Sequence, residues 1–592
     1  MSTIKDINKT IFKTFKNFSV RKRWQFLFVL FLNIFTGFCE FVSIGAVGIF
    51  LASISSTETI YQSNQLSFLL KLLGANQSTG FELRSLIIFI SILFLSAVIK
   101  VSNLWINTKF RVSFIKEIST KAFKHVLTQN YDYHIYKNSS ELISDLTINV
   151  DKALGFVDQL LYIFLNIFIA FGVLTALLII NFRLTISLIL IFGFIYLLIT
   201  YSINKKISRY GQIQVSANKD LVQTLQEGLG SIKNIILENK YSYHTHKFEN
   251  SIGISRKYQG VVSLLSQTPK FIIEALGFII ISSIGYSISI NENNINGLSI
   301  IGSFALGAQK LLPAIQNIYS SWTNLISYSK GYEKVLKLLD LKTYEQNYYK
   351  LFKYTGPIYV KNIIYKYPES LNNSLENISF TINRGEKIGL MGKTGSGKTT
   401  FINILMGLLR PQSGTIIANN IDIFDKTCEQ NLISWRKRIG HVPQKIYLHD
   451  STIFENIALF QQQNPIDLKK AKIAAKKACI LDYINSTKDG FSTRIGEEGI
   501  SLSGGQIQRL GIARALYKDL DFLILDEATS ALDSITEKKL MDNINEFSNK
   551  VTLFVIAHRL KTLEMCDRVI EFENGQIVRI ITGEELRLEN NI

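Results

Sequence analysis

A polytopic α-helical membrane domain fused to an α/β domain is the fold class that the sequence predicts, and three observations predict it. Six stretches come close to the ~20 apolar residues that a helix needs to cross a hydrocarbon core, and all lie within the first 330 positions. Two of the gaps between them, 106–155 and 204–270, are rich in Lys, Glu and Tyr and have helical rather than turn composition. The third observation is a strand, a glycine-rich loop and a helix in unbroken succession from 387 to 409. The 592 residues and 67.2 kDa exceed one domain, and the mean hydropathy of +0.17 averages over two unlike halves.

Segment 1–23 is basic and amphipathic, with Lys13, Lys16, Arg21, Lys22 and Arg23, and lacks a small-residue cleavage site. It is expected to be cytosolic, with the first span retained. Spans are expected at 24–53, 86–105, 156–180, 184–203, 271–290 and 298–318. The two long gaps read as helices that continue past the bilayer, with turn-like tips near 131–138 and 228–231. Connections 181–183 and 291–297 are short and poor in basic residues, which places them outside and leaves both termini cytosolic. A net charge of +18 raises nucleic acid as a partner. The basic residues gather instead in segment 1–23 and the cytosolic excursions, where they suit the anionic headgroups of membrane lipids. Cys39, Cys428, Cys479 and Cys566 have neither metal nor disulfide spacing and read as filler.

The glycine-rich loop is Gly392, Lys393, Thr394, Gly395, Ser396, Gly397, Lys398 and Thr399, with Thr400 opening the helix behind it. After a strand, this spacing is a P-loop, whose glycines let backbone N–H groups turn onto phosphates while the helix dipole points at them. Lys398 is placed to reach the β and γ phosphates, and the Thr399 hydroxyl to ligate Mg²⁺. Farther on, the apolar run 522–525 reads as a buried parallel strand that ends in Asp526 and Glu527. Asp526 suits the metal, and Glu527 the polarisation of a water attacking the γ-phosphate. Between these lies LSGGQ, 502–506, where Ser503 and the amides of Gly504 and Gly505 start a helical run and form a second anion site. Two phosphate sites on one α/β P-loop nucleotide-binding domain imply a partner.

Together these motifs resemble the ATP-binding cassette family. The resemblance implies head-to-tail pairing, in which Ser503, Gly504, Gly505 and Gln506 of one copy cap the ATP held on the P-loop of the other. It implies that Tyr367 stacks on adenine, and that Gln444, in VPQ, reaches the γ-phosphate and completes the metal set of Thr399, Gln444 and Asp526. His558 corresponds to the switch histidine, catalytic together with Glu527. Gly496 and Glu497 correspond to the loop that touches coupling helices, and 530–533 to the loop crossing the dimer interface. Six spans with two long excursions before one cassette resemble the half-transporter exporters. The layout that follows is a cytosolic segment 1–23, a transmembrane domain 24–341, a linker 342–357 and an ATP-binding cassette domain 358–592.

Within the membrane half, Leu66, Leu69, Leu70 and Leu73 fall on one face of a short outer helix. It is either a packing element or, with Glu40 and the stretch 307–313, a resemblance to flippases of lipid-linked oligosaccharides. Lys100, Lys270 and Lys310 lie within or near apolar spans, where a charge costs ~2.5–3.5 kcal/mol and faces a cavity or a partner. Two readings stay open. The lysines line a wet substrate path, as the resemblance implies, or Lys270 pairs with Glu274 while Lys100 snorkels to the interface. Pro269 and Pro313 are expected to kink their helices.

The expected function is ATP-driven export or flipping of an amphipathic substrate, with ATP and Mg²⁺ as cofactors, by a homodimer in a bacterial inner membrane. A lipid-linked oligosaccharide is the favoured cargo, and a hydrophobic drug, lipid or peptide the runner-up. Six spans argue against a soluble cassette ATPase of DNA repair or translation, which detergent-free solubility would revive. An ATP-gated channel would show unitary currents, and an importer would keep its membrane and nucleotide subunits apart.

Overall fold

The computed structural model describes residues 2–55, 81–180, 182–290, 297–343, 354–368, 370–425, 429–459, 467–496, 499, 501–547, 551–557 and 559–590. The expected outer helix at 66–73, Glu497, His558, Cys428 and most of the linker lie outside them. The chain forms two compact units, Met1–Gln129 with Tyr133–Tyr344, and Asn130–Asp132 with Glu345–Ile592.

Among the described residues, the first unit is built of helices. Helix α1 (Ser2–Asn17) buries Ile7, Thr10 and Thr14 on one face and shows Lys5, Lys9 and Lys16 on the other. Six long helices follow: α2 (Val20–Ser55), α3 (Phe81–Leu127), α6 (Ile148–Ile180), α7 (Phe182–Gly230), α9 (Tyr241–Ile290) and α10 (Gly297–Leu339). The short helices α4 (Tyr131–Tyr136), α5 (Ser139–Leu146) and α8 (Ile232–Glu238) sit at the tips of the two excursions. With 47 residues, α3 is about 70 Å long at ~1.5 Å per residue, more than twice a hydrocarbon core. Among the described residues, Val20–Ala46, Leu86–Leu127, Ser139–Ile179 and Phe182–Gly230 are long and apolar enough to cross a membrane. The remaining two, α9 and α10, each run as one helix through an internal proline, Pro269 and Pro313.

Small residues bring these helices together. A Cβ on Gly37 would stand 2.5 Å from the Phe168 carbonyl oxygen, and one on Gly172 would stand 2.3 Å from that of Gly37. Helices α2 and α6 therefore touch backbone to backbone, as spans do where area burial gives no drive. Pro269 cannot donate to the Leu265 carbonyl four residues back. The Tyr319 hydroxyl of α10 donates to that carbonyl at 3.2 Å, and Gln316 Nε2 to the neighbouring Ser266 carbonyl at 3.1 Å.

The second unit holds two sheets. A four-stranded antiparallel sheet orders β2 (Leu375–Ile382), β1 (Ile358–Tyr365), β4 (Ser413–Ala418) and β5 (Ile421–Asp422). A six-stranded sheet runs β10 (Gln576–Ile581), β9 (Arg568–Glu573), β3 (Lys387–Met391), β8 (Thr552–Ile556), β7 (Phe522–Asp526) and β6 (Ile439–Val442). All its pairings are parallel except β9 with β10. Strands β3, β7 and β8 are continuous apolar runs because both faces of the parallel sheet are covered. Asn574 and Gly575, at φ of 46° and 79°, make the tight turn between β9 and β10. The Gly575 N–H donates to the Ser396 carbonyl at 3.0 Å, which ties this hairpin to the loop after β3.

Candidate functional site

The loop after β3 has the backbone a phosphate cradle requires. Gly392, Gly395 and Gly397 take φ of 141°, 83° and 105°, a region that side chains disfavour. A Cβ on Gly392 would meet the Phe572 carbonyl oxygen at 2.2 Å, and one on Gly397 the Ser374 carbonyl oxygen at 2.8 Å, whereas Gly395 faces open space. Helix α11 (Lys398–Leu405) starts two residues earlier than its apolar pattern suggests, so Lys398 already belongs to its first turn. The Lys398 ammonium donates to the Gly392 carbonyl at 2.6 Å and the Lys393 carbonyl at 2.9 Å. Burial lowers its pKa, while Glu527 and Asp526 oppose that shift.

Parallel pairing of β7 with β8 sets Asp526 opposite Ile556. Glu527 then takes φ of 51°, its N–H donating to the Ile556 carbonyl at 3.0 Å. The Glu527 carboxylate accepts from Gln444 Nε2 at 2.7 Å. Burial, reinforced by the Glu527 charge, pushes the Asp526 carboxyl above its ordinary range. Adjacent carboxylates with that bias suit a divalent cation. Thr399 and Gln444 are both exposed. Thr400 is buried, and its hydroxyl lies 3.3 Å from that of Tyr367, whose ring packs edge-on against Tyr365.

Helix α12 (Gly504–Leu516) begins at the signature. Ser503 is its N-cap, accepting from the Gln506 N–H at 3.3 Å, while Gln506 Oε1 accepts from the Ser503 N–H at 2.7 Å. This capping box spends the Gln506 side chain on the helix start, leaving Ser503 exposed beside the Gly504 and Gly505 amides. Among the described residues, no hydrogen bond joins 502–506 to 392–399 within the chain. Two residues that local patterns did not single out hold this helix in place. Gln508, 6% exposed, donates to Ser530 Oγ and accepts from the Ala531 N–H, both at 3.0 Å. Arg514 donates to the Tyr447 and Asn456 carbonyls at 2.8 and 2.9 Å, fixing the segment just after Gln444. A polar side chain buried on an otherwise apolar helix face was the only available signal for Gln508.

In the membrane unit, the three lysines do not form one set. Lys100 of α3 and Lys310 of α10 both pair with Glu40 of α2, the latter at 2.6 Å, and Lys310 also donates to Ser43 Oγ at 2.8 Å. The Glu40 side chain is 7% exposed. Lys270 stands apart, 3.9 Å from Glu274 one turn on. Glu40 and Lys100 line a cavity of 270 Å³ that also contains Arg111 and Asp158, themselves paired at 2.5 and 2.6 Å.

Comparison with known proteins agrees with both halves. Residues 26–308 match the ABC transporter transmembrane region and residues 375–530 the ABC transporter family. An ATP-dependent lipid A-core flippase of Ralstonia nicotianae is 30% identical over 412 residues, covering 69% of this chain and 68% of the relative. A protein of the same name from Legionella pneumophila (strain Paris) is 29% identical over 483 residues, 80% of each chain. The structure of a bacterial Atm1-family ABC exporter with ATP bound matches with a TM-score of 0.78 at 18% identity, over 96% of each chain. An exporter-type helical membrane domain joined to a nucleotide-binding domain that couples ATP hydrolysis to transport is what this chain is: a member of the ABC transporter family.

Proposed function

We propose that two copies of this chain form a homodimeric flippase for an amphipathic anionic lipid, favoured as a lipid-linked oligosaccharide, in a bacterial inner membrane with both termini cytosolic. ATP and Mg²⁺ occupy each nucleotide site, held by the P-loop, Thr399, Gln444 and Asp526, while Ser503, Gly504 and Gly505 of the opposite copy close it and Glu527 polarises the attacking water. His558 and Tyr367 complete the reading on motif position. ATP drives the cycle because it gains the signature contacts only in the closed pair, and a ligand shifts an equilibrium only by its differential affinity.

The observation that carries the cargo is the Glu40–Lys100–Lys310 cluster, two cations on one buried carboxylate, which leaves one positive charge inside the membrane unit. Relatives named for lipid A-core flipping support an anionic lipid. A second reading, a hydrophobic drug, lipid or peptide, draws on the fact that neither lysine is bare. Removing the lysines alone would orphan Glu40, which costs ~3–5 kcal/mol for a broken buried pair. The informative variant is therefore the triple Glu40→Gln, Lys100→Gln, Lys310→Gln. In proteoliposomes it is expected to flip a pyrophosphate-linked lipid about tenfold more slowly, the worth of one lost charge contact, with basal ATPase retained. Unchanged flipping would overturn the charged-cavity reading.

A further inference from the structure

A groove of 650 Å³ runs between the start of α2 and the middle of α3. Its apolar wall is Trp24, Phe28 and Ile106, and its polar wall Gln25, Lys109 and Ser113. Trp24 and Phe28 are 70% and 53% exposed. Behind the polar wall lies Lys22, only 6% exposed, whose ammonium donates to Gln25 Oε1 at 3.0 Å and to Ser113 Oγ. Among the described residues, neither Lys22 nor Lys109 has an ion-pair partner. The nearby Glu117 is bound by Lys121 at 2.6 Å. Lys109 instead lies over the Trp105 ring at 3.6 Å, and the exposed Arg21 and Arg23 flank the groove mouth in sequence.

The buried Lys22 ammonium gives its hydrogen bonds to neutral oxygens, and the nearby Glu117 carboxylate is already held by Lys121, so the groove keeps a net positive charge that suits an anion. Exposed indoles beside lysines mark the level where a bilayer's headgroups meet its chains. The groove also lies at the end of the unit from which the chain leaves for the nucleotide domain, because Lys13 of α1 pairs at 2.5 Å with Asp340 just beyond α10. We propose that this groove is a binding site for one anionic phospholipid of the leaflet at that end of the membrane unit. Its phosphate sits against Lys109, Ser113 and Gln25 with Lys22 behind them, and an acyl chain lies along Trp24, Phe28 and Ile106. The lipid holds the α1–α2 elbow to the bilayer surface. This requires only that the first two spans cross a membrane, so it stands or falls separately from the cargo.

The test uses the purified full-length chain and compares phosphatidylglycerol with phosphatidylcholine of equal chain length by native mass spectrometry. Phosphatidylglycerol is expected to bind more tightly. The Lys109→Gln variant, changed at an exposed position, is expected to weaken it about fivefold, the factor of one lysine near an anionic leaflet, and to leave phosphatidylcholine unaffected. Brominated phosphatidylglycerol should quench tryptophan fluorescence in the wild-type chain and less in Trp24→Leu. Equal binding of the two lipids, no change in Lys109→Gln, or quenching indifferent to Trp24 would each overturn the proposal. The last result would also point to a second copy of the chain covering the groove.

Discussion

Glu527 is the only one of the two carboxylates that leaves the sheet line, and a φ of 51° on a non-glycine residue is the means. That backbone costs about 1–2 kcal/mol, and the bond from its N–H to Ile556 holds it. The turn lifts the carboxylate out to Gln444, 83 residues away in sequence. On the proposed role, Glu527→Gln keeps the side chain's shape and removes the base. Steady-state ATPase is expected to fall by about 10²–10⁴, the usual worth of a general base, while binding of a fluorescent ATP analogue persists. Wild-type turnover in that variant would remove Glu527 from the role. The pair Asp526–Glu527 was legible because an apolar run ends in it. Gln508 and Arg514 were not, since their partners lie 22 and 58 residues away and come together only through packing.

At the scale of elements, four of the six expected spans fall, among the described residues, in helices long and apolar enough to cross a membrane, and the polar gaps foretold that those helices are long. Ends were less legible. Segment 21–23 is already helical in α2, and the helix behind the P-loop starts at Lys398 rather than Thr400. In both cases composition does not mark the boundary. Pro269 was readable as an interruption, but its compensation by Tyr319 was not, because it comes from another helix. Tyr319→Phe removes only the hydroxyl and leaves a buried carbonyl unpaired. A loss of about 1–3 kcal/mol is expected, seen as a lower thermal midpoint in detergent with ATP affinity unchanged. An unaltered midpoint would show that water replaces the hydroxyl.

For the whole molecule, the decisive prediction concerns the second copy. Lys398→Ala disables the P-loop of its own chain, and Ser503→Arg blocks the signature that serves the other. Each variant alone is expected to be nearly inactive. Coexpressed and purified through two different tags, the mixed pair should recover ATPase, because one of its two sites is assembled entirely from intact halves. Absence of recovery would mean that each chain completes its own site. Two phosphate sites on one domain implied a partner in the sequence, and head-to-tail pairing is what the family resemblance implies and what this experiment tests. The membrane unit's charge arrangement was not, since sequence showed three lysines and a glutamate without showing that one carboxylate serves two of the ammonium groups.

That shared carboxylate constrains how the bundle can move. Glu40 on α2 cannot follow both Lys100 on α3 and Lys310 on α10 if those helices part. One ammonium would be stranded in a medium of low polarisability unless solvent entered as the helices separated. Hydration and separation are thereby fused into a single event, and a dry intermediate with the helices apart is the state this triad forbids.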